Sequence, residues 1–298
     1  MTNFIRKLFF FSLMLLFNNP VTLLLIGILN RLCFRPIKSL FIIYPASDKY
    51  IEPYCFRFLW PYFRHHPVII GGFFQGGQLG LTCVISAFES DFESKGFLEK
   101  FFQRSTLLGK ILGVPLQTYG GVLPNALKRA NLLEPPYITE RNELVANVVL
   151  KAMEEIRKQK QLGEKTPIIL LGGMGNIGTA VRKRLAAQKQ EIYIVDKQDP
   201  FPTNLKNKST ILIDIARKGV LEQYLPHFWK GMLIINETYP EPSKKVVFAL
   251  KKRGIHLYHI VGVKGSTFPN FFNAYAGGVP CCAMNTSEQF TPLIKLLD

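Results

Sequence analysis

Nothing in this chain pairs its cysteines. Cys33, Cys55, Cys83, Cys281 and Cys282 are odd in number, irregular in spacing and contain no C-x-x-C. A disulfide framework and a structural zinc site are thereby excluded, and a reducing compartment is the natural setting. Histidine offers no metal motif either. His65 and His66 are adjacent and diverge, while His256 and His259 lie three apart on an apparent strand, which points them to opposite faces. No metal is expected. Acidic residues are scarce, 21 against 37 basic ones, for a net charge of +16. No zinc-finger, helix-turn-helix or RNA-binding signature accompanies that charge, so nucleic acid is not the expected partner. A basic surface of this size suits anionic membrane or an acidic protein. Internal repeats and low-complexity tracts are missing as well, which excludes solenoids and disordered linkers.

The N-terminus has no acid at all before Asp48. Leu8 to Phe17 and Val21 to Leu29 are apolar runs separated by Asn18-Asn19-Pro20, with Arg6 and Lys7 before them and Arg31, Arg35 and Lys38 after. As one element, 8–29 reaches the ~20 residues a bilayer span needs, although Asn-Asn-Pro at its centre is costly. As two elements, each is too short to span and suits a hairpin lying in the interface. A cleaved signal peptide fits poorly, because no small-x-small site follows; a buried soluble element is the remaining reading. The expectation is a hydrophobic segment over 1–38, associating with membrane lipids and carrying a cytoplasmic body.

The body reads as α/β. Ser39 to Tyr44 suggests a strand, Gly71 to Gly80 a glycine-rich loop without a phosphate-loop Lys-Ser/Thr, Gly96 to Leu112 a helix and Val114 to Tyr119 a strand. Leu144, Val148, Ala152 and Ile156 repeat every four residues on a long helix, 139–161. Strands and helices then alternate to the end: a Rossmann-type, doubly wound parallel sheet in the C-terminal half, 163–298, after a smaller α/β domain, 39–162.

Four apolar residues, Ile168 to Leu171, run into Gly172-Gly173-Met174-Gly175-Asn176-Ile177-Gly178. In Gly173-x-Gly175-x-x-Gly178 the first glycine permits the strand-to-helix turn, the second lets a pyrophosphate approach the backbone, and the third lets helix and strand pack closely. Asp196 ends the second strand, Glu191 to Val195, where a carboxylate accepts hydrogen bonds from both hydroxyls of an adenosine ribose. Gly173, Met174, Gly175, Asn176, Ile177, Gly178 and Asp196 are therefore the expected dinucleotide contacts.

Chemistry is sought in the loop Val263 to Asn285, which carries Cys281-Cys282 ahead of an apparent closing helix, Ser287 to Leu297. A thiol near a nicotinamide suits covalent reduction of an acyl group, and a helix N-terminus would favour its thiolate. The bland alternative is that small cysteines simply pack there. His256 is a weaker candidate, as a proton donor, and Tyr239 weaker still.

From about Leu107 onward the chain resembles the long-chain fatty acyl-[acyl-carrier-protein] reductases that form aldehydes, and more distantly the glutamyl-tRNA reductase and shikimate dehydrogenase group. The residues that carry the resemblance are Gly113 to Leu123, the 172–181 fingerprint, Met232 to Pro240, Gly254 to Val263, and Cys281-Cys282. It implies an acyl carrier protein or acyl thioester as partner, and Cys282 as the acyl-accepting nucleophile with Cys281 as the register alternative. Its usual cofactor is NADP(H). Two positions depart from the family. Glu140-Arg141-Asn142 stands in place of Gly-Asn-Thr, and Asp196 would repel a 2′-phosphate, which favours NAD(H) instead. The activity so implied is reduction of a long-chain acyl thioester. A small-carbonyl dehydrogenase without a covalent step and a non-catalytic dinucleotide sensor at the membrane are the alternatives.

Overall fold

The computed structural model describes residues 3–196, 199–269, 277–284 and 290–297. The chain divides into two compact units. The first holds the chain up to Ile138 with 265–269 and 282–284; the second holds 139–264, 277–281 and 290–297. The division thus falls at Ile138/Thr139 and not at 162/163, and the N-terminal segment is built into the first unit.

That unit opens with α1 (Asn3–Phe17) and α2 (Pro20–Leu32), bent by 64° at the Asn-Asn-Pro break. Asn19 caps α2, its side chain accepting the Thr22 N–H at 2.9 Å, and Pro20 occupies the first helical position, where a missing N–H costs nothing. Neither helix alone is long and apolar enough to cross a membrane. Then come β1 (Ile37–Ile43), the short α3 (Asp48–Ile51) and α4 (Trp60–Phe63), β2 (Val68–Gln75) and β3 (Gln78–Val84). The expected glycine-rich loop is in fact a hairpin. Gly76 and Gly77 both take positive φ, the backbone twist that tight two-residue turns require, and the remaining glycines lie within the strands. Next, α5 (Lys95–Leu112) is capped by Ser94 and closed by Gly113 at φ +65°, followed by β4 (Leu116–Tyr119) and α6 (Leu123–Arg129).

The second unit takes most of α7 (Pro135–Gln159), with Val148, Ala152 and Ile156 buried as their spacing predicts. Its sheet is built from β5 (Ile168–Leu171), α8 (Asn176–Ala187), β6 (Ile192–Val195), β7 (Thr210–Asp214), α9 (Val220–Gln223), β8 (Met232–Asn236), α10 (Lys244–Lys252) and β9 (His256–Lys264). Strands β5, β7 and β8 are buried at every position, the pattern of parallel strands covered on both faces. The crossovers are slighter than the sequence suggests: a helix expected over 217–224 shrinks to the single turn α9.

The chain ends as three strands: β10 (Ser266–Phe268), β11 (Gly278–Val279) and β12 (Pro292–Leu297). β10 joins the first unit's sheet, of order β10-β2-β3-β1-β4, pairing antiparallel with β2. The second unit's sheet has the order β11-β9-β8-β7-β5-β6, with β12 also on β9. The expected closing helix over 287–297 is therefore corrected: its described part, from residue 290, forms an antiparallel strand from Pro292. Leu293-Ile294-Lys295-Leu296-Leu297 has no helical polar face, and six ladder positions against β9 decide it. Residues 270–276 of the long loop, Asn285 at its end and 287–289 of the expected helix lie outside the described residues.

Candidate functional site

In the second unit β6 and β7 leave β5 on opposite sides, so the switch point of the sheet lies at the carboxyl ends of β5 and β7. The glycine turn sits there. The tight turn belongs to Gly172 rather than Gly173, a correction to the sequence reading. Gly172 has φ +84°, and a Cβ on it would lie 2.8 Å from the Ala216 backbone. A Cβ on Gly173 would stand 2.9 Å from Ile194 Cγ2, so that glycine admits the neighbouring strand. Gly175 caps α8, and the space where its Cβ would stand holds only the Gly172 carbonyl oxygen, at 3.3 Å. A Cβ on Gly178 would fall 2.3 Å from that same oxygen, so only glycine lets α8 close onto the turn. Asn176 and Ile177 form the first turn of α8, whose leading amides point away from their own helix. Asp196 follows β6, and its carboxylate accepts the Met174 N–H at 3.0 Å. The structure thus brings all seven expected dinucleotide contacts to one turn and its flanking strand end.

Two acids that sequence reasoning missed form the next part of the same edge. Asp214 ends β7, buried, and accepts the Ala216 N–H at 3.1 Å; burial pushes its carboxyl up to about 7 against that hydrogen bond. Glu237 follows β8, its N–H donating to the Asp214 carbonyl at 2.9 Å. Loss of water pushes the Glu237 carboxyl up to about 7; the Cys281 hydrogen bond opposes this and the negative charge of Asp214 adds to it. The Cys281 thiol donates to Glu237 Oε1 at 3.7 Å. Behind them Thr238 Oγ1 donates to the Ala216 carbonyl at 2.6 Å. Asn236 Nδ2 donates to the Thr238 carbonyl and lies 2.8 Å from Nδ1 of the buried His259. Desolvation holds His259 below the usual histidine range; Glu241 and Asn236 oppose this, and Lys295 adds to it. With Nδ1 accepting, the neutral ring carries its proton on Nε2. The available signal was an acid directly after each apolar run, Ile211 to Ile213 and Leu233 to Ile235, at the end of a parallel strand where ligands gather.

His256 does not join this group. It starts β9 opposite Leu233, at the amino end of the sheet, and is exposed. A proton donor is not available from there, because all parallel strands present their carboxyl ends to the crevice. The two cysteines separate as well. They lie in a short 3-10 turn, Cys281–Ala283, not at the start of a helix, so the helix-dipole argument for a reactive thiol falls. Cys281 belongs with Glu237 in the second unit. Cys282 belongs to the first, where its charge is felt by Tyr44, whose hydroxyl is raised chiefly by burial. Tyr239 is half exposed beyond β8. Of the other thiols, burial pushes Cys83 up to about 12 and Cys55 up to about 11, and Cys33 is exposed at the end of α2.

No family model matches the chain, and no curated protein matches it. Among solved structures it is similar to the L-tryptophan dehydrogenase of Nostoc punctiforme, at 12% identity over 74% of this chain and 69% of that one, with a TM-score of 0.38. It is also similar to a glyoxylate reductase of Paecilomyes thermophila, at 15% identity over 74% and 82%, with a TM-score of 0.24. Both likenesses are too remote to carry an argument. The resemblance to acyl reductases rests on its short motifs alone.

Proposed function

We propose that the protein is a nicotinamide-dependent oxidoreductase that reduces a long-chain acyl thioester to an aldehyde, with Cys281 as the acyl-accepting thiol. The observation that carries this reading is the Cys281–Glu237 pair at the end of β8, on the same sheet edge as the glycine turn after β5. Between the register alternatives, Cys281 is preferred over Cys282 because its thiol donates to the Glu237 carboxylate at that edge. A dinucleotide fits the turn: Gly175 leaves the backbone open to a pyrophosphate, and the carboxylate of Asp196 stands at the end of the adjoining strand for ribose hydroxyls. The same carboxylate repels a 2′-phosphate, so NAD(H) is preferred over the NADP(H) that the resemblance implies.

A carboxyl that titrates near neutrality suits proton transfer with a thiol. Glu237 takes the Cys281 proton, and the thiolate adds to the thioester carbonyl carbon. The substrate C–S bond breaks, and the departing thiol leaves with the proton from Glu237. A dinucleotide held at the Gly172–Gly178 turn and Asp196 would supply the hydride that reduces the acyl carbon carried on Cys281. The Cys281–acyl bond then breaks, the aldehyde leaves, and the Cys281 thiolate takes up one proton from solvent. Cys281→Ala is expected to abolish aldehyde formation while leaving NADH binding unchanged, and Cys282→Ala to retain most activity. Turnover in Cys281→Ala, measured as NADH oxidation with a long-chain acyl thioester, overturns the covalent step. Tighter binding of NADPH than NADH overturns the role of Asp196.

The α1–α2 pair is the membrane-associating element in this reading, lying on the lipid and not crossing it. Leu15, Leu16, Leu24, Leu25 and Leu29 are exposed, whereas Phe10 and Met14 are buried against the unit. The buried Asn30 fastens α2 to the body, donating to the Leu112 carbonyl at 3.0 Å and accepting the Ile37 N–H at 2.9 Å. A helix fastened along one face presents only the other to a bilayer.

A further inference from the structure

The first unit holds an apolar pocket of about 530 Å³, framed by α1, α2, β2, β3 and the tail of β10. Its volume lies within the ~300–1,000 Å³ of small-ligand sites. Leu13 and Phe17 come from α1, Ile26 from α2, and Ile69, Phe73 and Leu81 from the sheet. Among the described residues that line it none is charged, and the side-chain hydroxyls are those of Ser266 and Thr267. Gly71 and Gly72 on β2 place no side chain in the space. A Cβ on Gly71 would fall 2.2 Å from the Phe268 carbonyl, so the close approach of β10 requires the glycine and keeps that wall bare. Phe74 and Phe268 stand at the rim, largely exposed.

These features select an occupant. A ligand with a polar group inside the pocket would meet almost nothing to hydrogen-bond and would lose its hydration unrepaid. An alkyl chain has no such cost. The two helices that wall the pocket also expose apolar side chains, Leu15, Leu16, Leu24, Leu25, Ile28 and Leu29. No acidic residue occurs in this part of the sequence to repel anionic lipid. A chain leaving a bilayer at that surface stays in apolar contact on its way in.

We infer that this pocket takes the hydrocarbon chain of a single-chain lipid, its polar head left at the rim beside Phe74 and Phe268. The inference stands on the first unit alone and does not depend on the nicotinamide reading.

The test is binding of cis-parinaric acid, a fluorescent eighteen-carbon fatty acid, to the full-length protein freed of alkyl detergent. One equivalent is expected to bind, displaced by palmitate and not by octanoate. Leu13→Trp and Ile26→Trp, which fill the pocket from its helical walls, are expected to weaken binding about tenfold or more. Leu107→Trp, at an exposed site on α5, adds the same side chain elsewhere and leaves binding unchanged. Thermal unfolding of each variant separates a filled pocket from a lost fold. Two sources of the chain are distinguished by competitors: displacement by palmitoyl thioester at lower concentration than palmitate assigns the pocket to the substrate, and the reverse order assigns it to free lipid. Absence of parinarate binding in the wild type, or equal binding in stably folded Leu13→Trp and Ile26→Trp, overturns the inference. Loss of NADH binding in any of these proteins bears on the proposed function and leaves the pocket untouched.

Discussion

Burial raises the carboxyls of Asp214 and Glu237 well above the ordinary carboxylic-acid range, both to about 7. The folded protein therefore holds protons there that the unfolded chain releases above pH ~4. Between pH ~4 and ~7 the native state binds more protons than the unfolded one, so these two acids make stability fall as pH rises, with the loss complete above about 7. His259, held low by burial, acts in the opposite sense: it lowers stability as pH drops below the ordinary histidine range. A substitution isolates the carboxylate. Asp214→Asn mimics the protonated acid and keeps an oxygen for the Ala216 N–H, so it is expected to stabilise the protein at pH 8 by roughly 2–4 kcal/mol. At pH 5 the gain is expected to shrink to about 1–2 kcal/mol, because only the part of the loss between pH ~4 and 5 has then accrued, and chemical denaturation at the two pH values reads the difference. Equal effects at both would show that Asp214 ionises normally. Local sequence announced the glycines of the turn, because each answers a backbone demand within a few residues. It could not announce Glu237 opposite Cys281, a pairing made across 44 positions between the ends of β8 and β11, which lie on either side of β9.

Among the elements, the N-terminal helices show most plainly how one motif serves two readings. Asn18-Asn19-Pro20 looks like a flaw in a membrane span, yet each residue has a structural task. Pro20 and Asn19 start α2, and Asn18 completes a sheet. β10 covers the edge of β2 only from Gly72 to Phe74. Beyond it Asn18 takes over, accepting the Ile69 N–H at 2.6 Å and donating to the Ile69 carbonyl at 2.9 Å. A side-chain amide here does what another strand would do, and it leaves no backbone group of Ile69 unpaired at that edge. Asn18→Leu makes the segment more apolar, which would favour a membrane span. In this fold it removes both bonds and is expected to cost about 1–3 kcal/mol of stability. An unfolding midpoint unchanged or raised in Asn18→Leu would release the helices from the body. The misread elements share a cause. Leu293 to Leu297 and the glycines of 71–80 have no decisive period of their own, and their strand state comes from partners distant in sequence, β9 for one and β3 with β10 for the other. The strands β5, β7 and β8 were legible because burial on both faces writes an unbroken apolar run.

At the scale of the whole chain, a net charge of +16 has to be reconciled with an apolar N-terminal surface. Charge of this size attracts anionic surfaces over a Debye length, about 8 Å at physiological salt, and is screened beyond it. Apolar insertion has no such dependence. Arg6 and Lys7 lie in the first turns of α1 and Arg35 and Lys38 follow α2, and a basic side chain near an anionic bilayer contributes about 1 kcal/mol. The two contributions predict a particular salt response. Flotation with vesicles of phosphatidylcholine alone is expected to recover a fraction of the protein that does not change with salt. Adding phosphatidylserine is expected to raise recovery several-fold at low salt, and the increment is expected to vanish at high salt, leaving the neutral-vesicle level. Binding that disappears altogether at high salt would reduce the N-terminal pair to a charged patch without insertion. Binding indifferent to both salt and phosphatidylserine would leave insertion alone. Failure to float with either vesicle would remove the membrane from the function, and the exposed leucines of α1 and α2 would then need a protein partner to cover them.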